Sequence, residues 1–355
     1  MTPTPWNSAL IGQVIAGYRI DAFLGGGAFG LVFEATDLAT GSRFAIKILI
    51  PAGNAESVSE FDREGLLLQK LIKCSGVINW VDSGVADIEF NLNGMPVPIG
   101  FKYHVMALAS GVLEELVVDP AKRRDLPWGE RISHWRGAVK GVHQMHLNKI
   151  AHRDLKSSNC LLVVQKGESE VRLADLGRSK DFALGPSLPF HQYLLGRGDM
   201  RHAPPEFLWF QGGSTEADFR NADLYGLGSL LAELASGHPI TALAIGSWQD
   251  AKLQGRQDFI NGRQRNLGIL RPQFRRAIED LSNEFPRAIR HEMVELLGQV
   301  CDPVPAMRQP KQKPGNQFKP DNGLAWLLRR ADILSRRLSV SSRHTNRKSE
   351  SRSAS

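Results

Sequence analysis

The stretch His152-Arg153-Asp154-Leu155-Lys156-Ser157-Ser158-Asn159 places a lysine two residues after an aspartate and an asparagine five residues after it. A carboxylate can accept the proton of a hydroxyl group, an ammonium can stabilise a phosphate in transfer, and an amide oxygen can bind Mg²⁺. The spacing therefore indicates phosphoryl-transfer chemistry. A polar surface turn with no chemical role is the alternative that the rest of the chain has to exclude.

The composition is that of an ordinary folded protein. The 355 residues are 42% hydrophobic and 23% charged, which is enough for one large bilobal core or two medium domains. Cys74, Cys160 and Cys301 lie far apart without a C-x-x-C pair, which excludes a disulfide framework or a zinc cluster and suits a reducing compartment. No apolar run approaches the roughly 20 residues needed to span a bilayer. The first residues also lack a secretory signal pattern, so we expect a cytoplasmic protein.

The net charge of +7 is concentrated at the C-terminal end. From Arg336 onward, six basic residues are opposed only by Glu350, so five of the seven excess positive charges belong to this serine-rich end. The body of the chain is then close to neutral, and direct nucleic-acid binding by a folded face is not expected. We expect residues 339–355 to form a solvated, disordered tail, with docking to an acidic partner as the alternative.

Hydrophobic periodicity predicts an α+β fold with two lobes. Residues 1–17 read as a leader that packs on the domain that follows. Residues 18–108 predict a small antiparallel sheet with one amphipathic helix near 57–73 and an extended hairpin near 88–100. Residues 109–338 predict a larger, mainly helical lobe, with long helices at about 128–147, 223–236, 287–300 and 323–338.

A glycine-rich segment lies between two strand-like stretches. Gly25-Gly26-Gly27-Ala28-Phe29-Gly30 fits the pattern G-x-G-x-x-G, which dinucleotide-binding folds also use. In those folds a helix follows the glycines, whereas strand-like sequence flanks them on both sides here. Glycines at a hairpin tip can turn backbone N–H groups toward phosphates. The segment predicts a phosphate-binding lid, with a plain glycine hairpin as the alternative.

Lys47 lies inside the apolar strand Phe44-Ala45-Ile46-Lys47. An ammonium in such a place needs charged partners, for which phosphate oxygens and a helix carboxylate are suitable. Glu64 is the expected carboxylate, because three leucines that follow it would anchor its helix. Glu60 lies one turn earlier on the same helix and stays open as an alternative.

Two further motifs lie downstream. Ala174-Asp175-Leu176-Gly177 follows a short strand, and an aspartate at such a turn can hold Mg²⁺ between phosphates. Pro204-Pro205-Glu206 follows about 30 residues later, and Arg308 is expected to supply a structural cation for Glu206.

These five motifs, in this order and at these distances, resemble those of eukaryotic-type protein kinases. The resemblance covers about residues 18–310, and Lys156 favours the serine/threonine class. It implies that Asp154 accepts the proton of the substrate hydroxyl and that Lys156 steadies the γ-phosphate of ATP. It also implies that Asn159 and Asp175 hold Mg²⁺, and that Lys47, paired with Glu64, binds the α- and β-phosphates.

The resemblance also implies which residues enclose the nucleotide. Met106 occupies the gatekeeper position, so the Ala107 carbonyl and the Ala109 amide are expected to bond adenine. The remaining predicted nucleotide contacts are Leu24, Gly25, Gly27, Gly30, Val32, Ala45 and Leu161. Two structural features follow as well: a buried aspartate, Asp223, that braces the catalytic loop, and an apolar column formed by Leu68, His152 and Leu176.

The loop that would receive the substrate departs from the family pattern. Asp199 stands where a threonine is usual, and His202 stands where a tyrosine is common. The segment 178–203 contains few hydroxyl acceptors, and Ser187 is the expected phosphorylation site near Arg153.

Three functions remain open from the sequence. The leading expectation is an ATP- and Mg²⁺-dependent protein serine/threonine kinase that also phosphorylates itself. A pseudokinase scaffold is the second, although Lys47, Asp154, Asn159 and Asp175 are all present. A small-molecule phosphotransferase is the third, and Arg153 and Lys156 argue against it. The sequence does not indicate an oligomeric state.

Overall fold

The computed structural model describes residues 5–27, 30–51, 55–92, 94–165, 167–185, 189–196, 198–310 and 323–353. The chain divides into two compact units, which are Met1–Ser110 with Ala174–Gly177, and Gly111–Leu173 with Arg178–Ser355. The predicted α+β fold class is confirmed. The division after Ser110 lies two residues beyond the boundary expected from the sequence.

The first unit is built on one antiparallel sheet with the strand order β1-β2-β3-β4-β6-β5. Its strands are β1 (Val14–Ile15), β2 (Tyr18–Gly27), β3 (Gly30–Asp37), β4 (Arg43–Ile48), β5 (Trp80–Leu92) and β6 (Met95–Ala107). Its helices are α1 (Pro5–Ala9) and α2 (Ala55–Lys70). Inward-facing side chains of alternate strand positions form the core, among them Ile20, Phe33, Ile46, Phe101 and Val105.

The leader is part of this sheet. Strand β1 pairs with β2, and the Trp6 ring packs edge-on against Phe90 and Phe101, with centroids 5.5 and 5.4 Å apart. The unit therefore begins before Tyr18, where the sequence first became strand-like. A strand of only two residues, Val14 and Ile15, gives too short a pattern to be predicted from the sequence.

Strands β5 and β6 form a longer hairpin than expected. Their register runs from Trp80–Met106 to Leu92–Met95, whereas the sequence indicated only residues 88–100. The helix α2 follows the predicted amphipathic pattern, and its buried side includes Phe61, Glu64 and Leu68.

The second unit is mainly helical. Its longest elements are α5 (Trp128–Leu147), α8 (Glu216–Ser236) and α13 (Ala325–Ser353). The other helices are α3 (Leu113–Val117), α4 (Pro120–Asp125), α6 (Phe190–Leu194), α7 (Pro205–Leu208), α9 (Ile240–Ile245), α10 (Trp248–Ile260), α11 (Arg271–Leu281) and α12 (Arg290–Val300). Short strands complete it: β7 (Gly111–Val112), β8 (Ile150–Ala151), β9 (Cys160–Gln165), β10 (Glu168–Leu173) and β11 (Lys180–Asp181).

Helix α8 is buried along most of its length and begins earlier than predicted. A reciprocal capping box between Thr215 and Asp218 starts it seven residues before Asp223, and Gly237 ends it with φ +80°. The buried Trp135 of α5 donates its indole N–H to the Leu227 carbonyl at 2.8 Å, which fixes α5 against α8. Within the described residues, none of the helices combines the length and the apolar character needed to cross a membrane.

The segment 339–355, predicted as a tail, overlaps the end of the last helix, α13. Helix α13 continues to Ser353, beyond the predicted end at Leu338. The segment contains neither glycine nor proline, so no residue in it breaks the helix that the buried Leu327 and Leu334 anchor. Arg136 of α5 also pairs with Asp332 of α13 at 2.6 Å.

Candidate active site

Lys47 contacts two carboxylates in the first unit. Its ammonium lies 2.6 Å from Glu64 Oε2 and 3.0 Å from Asp175 Oδ1. Strand β4 places Lys47 on the face of the sheet that α2 covers, and the side chains of Lys47 and Glu64 are 9% and 1% exposed. The predicted pairing of Lys47 with Glu64 is confirmed.

The charge on Lys47 is stabilised by these neighbours. Burial alone would lower the pKa of the ammonium, but the carboxylates of Glu64 and Asp175 outweigh burial and raise the pKa well above its ordinary value. Lys47 is therefore positively charged near neutral pH. A fixed cation of this kind can neutralise phosphate oxygens.

The turn that contains Asp175 has a strained backbone. Asp175 has φ +60°, in the left-handed region that aspartate tolerates better than most residues. The following residue, Leu176, is fully buried, and its backbone N–H donates a hydrogen bond to the Glu64 carboxylate. Helix α2 and the Asp175 turn are thus joined through Glu64. Such strain persists where the surroundings hold it, and it is frequent at functional sites.

The glycine-rich segment forms the end of the β2–β3 hairpin. Gly27 pairs with Gly30, and Ala28 and Phe29 between them lie outside the described residues. Gly30 has φ +137°, and a Cβ at this position would lie 2.5 Å from the Ile48 carbonyl oxygen. The close approach of strand β4 therefore requires glycine at residue 30.

The other predicted nucleotide contacts of the first unit lie on or near the same sheet. Val32 is the cross-strand partner of Lys47, and Ala45 is the partner of Met106. Ala45 and Met106 are buried and Leu24 is exposed, while Ala107 at the end of β6 and Ala109 just after it are half-buried. Leu161 belongs to the second unit, on β9, where it pairs with Val112. Their role in nucleotide binding stays a prediction.

In the second unit, the carboxylate of Asp223 holds the stretch 152–159 in place through hydrogen bonds to its backbone. The Asp223 carboxylate accepts hydrogen bonds from the backbone N–H groups of His152 and Arg153, at 2.9 and 2.8 Å, and contacts His146 Nε2 at 2.8 Å. Burial alone would raise its pKa, but the contact with His146 and the other hydrogen bonds lower it. The predicted bracing role of Asp223 is confirmed. Arg153 itself has φ +69°, so the loop is strained at this residue.

Asp154 has a fixed orientation within this loop. Its Oδ1 accepts the backbone N–H of Asp199 at 2.8 Å, and its Oδ2 lies 3.5 Å from the Lys156 ammonium. The Asn159 amide nitrogen donates to the Asp154 carbonyl at 2.7 Å. The three predicted catalytic residues of this loop are therefore brought together, with Asp154 only 6% exposed.

Asp199 stands at the position where a threonine was expected, and it makes contacts through both its backbone and its side chain. Its backbone N–H orders Asp154, while its carboxylate lies 3.8 Å from Lys156 and accepts hydrogen bonds from the Arg201 guanidinium, the shorter at 2.7 Å. Burial alone would raise the pKa of Asp199, but the hydrogen bonds from the Arg201 side chain and backbone lower the pKa to about 2. Asp199 is therefore ionised and shares Lys156 with Asp154.

A further acidic residue, Glu233, contacts this loop and was not anticipated from the sequence. Glu233 of α8 accepts the backbone N–H of Ser157 at 3.0 Å and lies 3.4 Å from His202 Nδ1. Burial raises the pKa of Glu233 to about 8 and lowers the pKa of His202 to about 4. Both pKa shifts favour the uncharged form, so the contact near pH 7 joins a neutral carboxylic acid and a neutral imidazole. Residues 157 and 233 are too far apart in sequence for any local pattern to pair them.

The predicted ion pair between Glu206 and Arg308 is confirmed. The Arg308 guanidinium makes two parallel contacts of 2.7 Å with the Glu206 carboxylate, and the arginine side chain is fully buried. Arg308 also lies over the Tyr225 ring, with the guanidinium carbon 4.8 Å from its centroid. The pair fixes the residues after segment 178–203 to the body of the second unit.

Two expectations are not decided by this geometry. Ser187, the expected phosphorylation site, lies outside the described residues. Leu68 and Leu176 of the first unit and His152 of the second are each buried, but their alignment in one column stays a prediction.

The Arg153 guanidinium lies over the rings of Tyr193 and Phe219, at 5.8 and 5.2 Å.

The sequence is similar to known protein kinases. Putative cysteine-rich receptor-like protein kinase 33 of Arabidopsis thaliana is 30% identical over 217 residues, which is 60% of this chain and 30% of the relative. Serine/threonine-protein kinase BRI1-like 2 of the same plant is 31% identical over 232 residues, 62% of this chain and 18% of the relative. Cyclin-dependent kinase 9 of Homo sapiens is 26% identical over 231 residues, 64% of this chain and 57% of the relative. The chain thus spans less than two thirds of the length of each relative.

The family model of the protein kinase domain matches residues 18–313, which is most of the chain. The match includes every motif described above, from the glycine-rich hairpin to Arg308. The paired Lys47 and Glu64, the Asp175 turn and the braced Asp154 loop have the local geometry that the motifs led us to expect. This chain belongs to the protein kinase family.

Proposed function

We propose that this chain transfers the γ-phosphate of ATP to serine and threonine hydroxyls of protein substrates and of itself. The observation that carries the proposal is the contact of the Lys47 ammonium with both Glu64 and Asp175, at 2.6 and 3.0 Å. This arrangement gives a fixed positive charge beside a carboxylate, as binding of a metal-bound triphosphate requires. Lys156 and the similarity to a serine/threonine-protein kinase support hydroxyl acceptors.

The contacts of the loop residues support the roles proposed for them. Asp154 orients the substrate hydroxyl and takes its proton as the hydroxyl oxygen bonds to the γ-phosphorus and the bond to the bridging oxygen of ADP breaks. The Asp199 N–H holds the carboxylate in place at 2.8 Å. Lys156, 3.5 Å from Asp154, stabilises the negative charge that develops on the transferred phosphate.

The side-chain chemistry of Asn159 and Asp175 supports magnesium binding. Asn159 uses its amide nitrogen for the contact with the Asp154 carbonyl, so the amide oxygen is the atom that could face a metal. Asp175 offers a carboxylate that is 34% exposed. Oxygen donors of these kinds suit Mg²⁺, which would offset phosphate charge when bound. Asn159 and Asp175 are the proposed ligands.

The nucleotide would be enclosed by the residues named from the sequence, with Met106 at the gatekeeper position and Ala107 and Ala109 bonding adenine. Val32 and Ala45 support this proposal through their registers with Lys47 and Met106. We also propose a reducing, cytoplasmic location, which the buried thiols of Cys74, Cys160 and Cys301 support.

Replacing Asp154 with asparagine is expected to lower phosphate transfer by about 100-fold or more, because the hydroxyl proton loses its acceptor. The measurement is incorporation of labelled phosphate from ATP and Mg²⁺ into the chain and into a generic acceptor protein. Asp280→Asn, on an exposed position of α11, is the matched control. Absence of transfer by the unmodified chain would favour a pseudokinase, and label confined to small molecules would favour a different phosphotransferase.

The charges around Lys156 predict opposite effects of two substitutions. Arg201→Ala leaves Asp199 without its guanidinium partner, so Asp199 should draw Lys156 away from the phosphate and lower kcat by up to about fivefold. Adding Asp199→Asn to Arg201→Ala removes that competing charge and should restore kcat. Steady-state kinetics on the three proteins checks this, and an equal loss in the single and the double variant would contradict it.

A further inference from the structure

A buried histidine lies beside the Lys47–Glu64 pair. His104 on β6 is the direct cross-strand partner of Lys47 on β4, so both side chains point to the face of the sheet that α2 covers. The His104 side chain is buried, with the residue 5% exposed, and its ring stacks on Phe61 of α2 with centroids 4.0 Å apart and planes 14° apart. Phe61 precedes Glu64 by three residues, which is nearly one helical turn.

The ring is hydrogen-bonded on both sides. His104 Nε2 lies 2.9 Å from the Phe61 carbonyl oxygen, which can only accept, so Nε2 carries the proton. His104 Nδ1 lies 2.8 Å from Ser83 Oγ, which in turn accepts the Trp80 indole N–H at 2.7 Å. Burial lowers the pKa of His104 to about 4, so the ring is neutral near pH 7 and can donate once and accept once. The chain of hydrogen bonds connects β5 and β6 to the backbone of α2.

Gly65 provides the space for this ring. A Cβ added at Gly65, the residue after Glu64, would lie 2.5 Å from His104 Cε1. Glycine within a helix is unfavourable by itself, so the close approach of the imidazole gives a reason for it here. The histidine thus contacts the residues on both sides of Glu64 along the helix.

We propose that His104 is a positioning residue that fixes α2 on the sheet and thereby holds Glu64 against Lys47. The geometry separates this role from ordinary packing, because the imidazole joins the helix by a directed hydrogen bond and requires glycine at residue 65. The consequence for catalysis rests on the proposed function. The expected effect on the Lys47–Glu64 contact does not depend on the proposed function.

The first test is the acylation rate of Lys47 by trace acetic anhydride, measured by mass spectrometry with the exposed Lys122 of α4 as the internal reference. Only the neutral amine reacts, so loosening of the pair should lower the Lys47 pKa and raise its rate. We expect an increase of about tenfold in His104→Leu, which leaves the Phe61 carbonyl without its donor. His104→Gln keeps a donor near Nε2 and should stay within about twofold of the unmodified chain.

A double-mutant cycle provides the second test and does not depend on His104→Leu folding. Gly65→Ala should push the ring off the helix and raise Lys47 acylation, whereas the same change in a His104→Ala background should have little effect because the space is empty. Gly298→Ala in α12, where an added Cβ meets nothing within 4 Å, is the matched control. The control is expected to leave Lys47 unchanged in both backgrounds.

The outcomes separate the two proposals. Unchanged Lys47 acylation in folded His104→Leu, or additive effects in the cycle, would overturn the positioning role whether or not the chain is active. Acylation that responds as expected, in a chain that transfers no phosphate, would overturn the proposed function alone. If both hold, kcat should fall in His104→Leu and recover in His104→Gln.

Discussion

Replacing Lys47 with methionine is expected to lower kcat by about 100- to 1,000-fold, because the residue supplies a preorganised positive charge to the phosphates. The expected loss depends on the contacts of Lys47 with Glu64 and Asp175, at 2.6 and 3.0 Å, which place the ammonium in one position. Initial rates of phosphate transfer at saturating ATP and Mg²⁺ measure the effect. Retention of kcat within about tenfold of the unmodified chain would mean that another lysine binds the phosphates.

A control separates chemistry from folding. Lys102→Met removes a lysine from the same sheet that pairs with Asp62 at the surface, at 2.6 Å, and should leave kcat unchanged. Lys47→Met also leaves Glu64 buried without its cation, so the double variant Lys47→Met with Glu64→Gln should unfold at higher temperature than Lys47→Met alone. Both variants should remain inactive.

Replacing Arg308 with methionine is expected to destabilise the protein by about 3–5 kcal/mol, because it leaves the Glu206 carboxylate buried without a partner. Both charged groups are almost fully buried, with side-chain exposures of 0% and 5%. Adding Glu206→Gln to Arg308→Met removes the isolated charge and should recover much of the lost stability. Denaturant unfolding curves on the single and double variants give the free energies of unfolding.

The exposed pair between Arg136 and Asp332 is the matched comparison. Its side chains are 44% and 43% exposed, so Arg136→Met should cost no more than about 1 kcal/mol. Equal losses for Arg308→Met and Arg136→Met would show that the buried pair is not a structural support of the second unit.

The residues that the sequence predicted well are those whose chemistry is visible in local patterns. The Asp154 loop, the Asp175 turn and Lys47 stand at fixed spacings next to recognisable strands, and glycine at residue 30 marks a backbone that another strand approaches closely. Glu64 was the expected partner because the leucines that follow it anchor the helix, but Glu60 one turn earlier is also buried, so the sequence left both open.

The contacts that the sequence did not reveal join residues without a shared local pattern. Glu233 binds the Ser157 backbone 76 residues away, and His104 contacts Phe61 43 residues away. A buried acid on an apolar helix or a histidine in a strand gives no indication of its partner until the fold brings the two together. The helix after Leu338 was missed for a different reason. Its charge suggested disorder, whereas continuity with a packed helix decides the outcome.

The most direct test of phosphate transfer to hydroxyl groups is mass spectrometry of phosphorylated sites after incubation of the purified chain and an acceptor protein with ATP and Mg²⁺. Phosphoserine and phosphothreonine should appear on the acceptor and on the chain itself, and both should be absent with Asp175→Ala. No phosphorylated residue in either protein, with the chain folded and ATP present, would contradict the account.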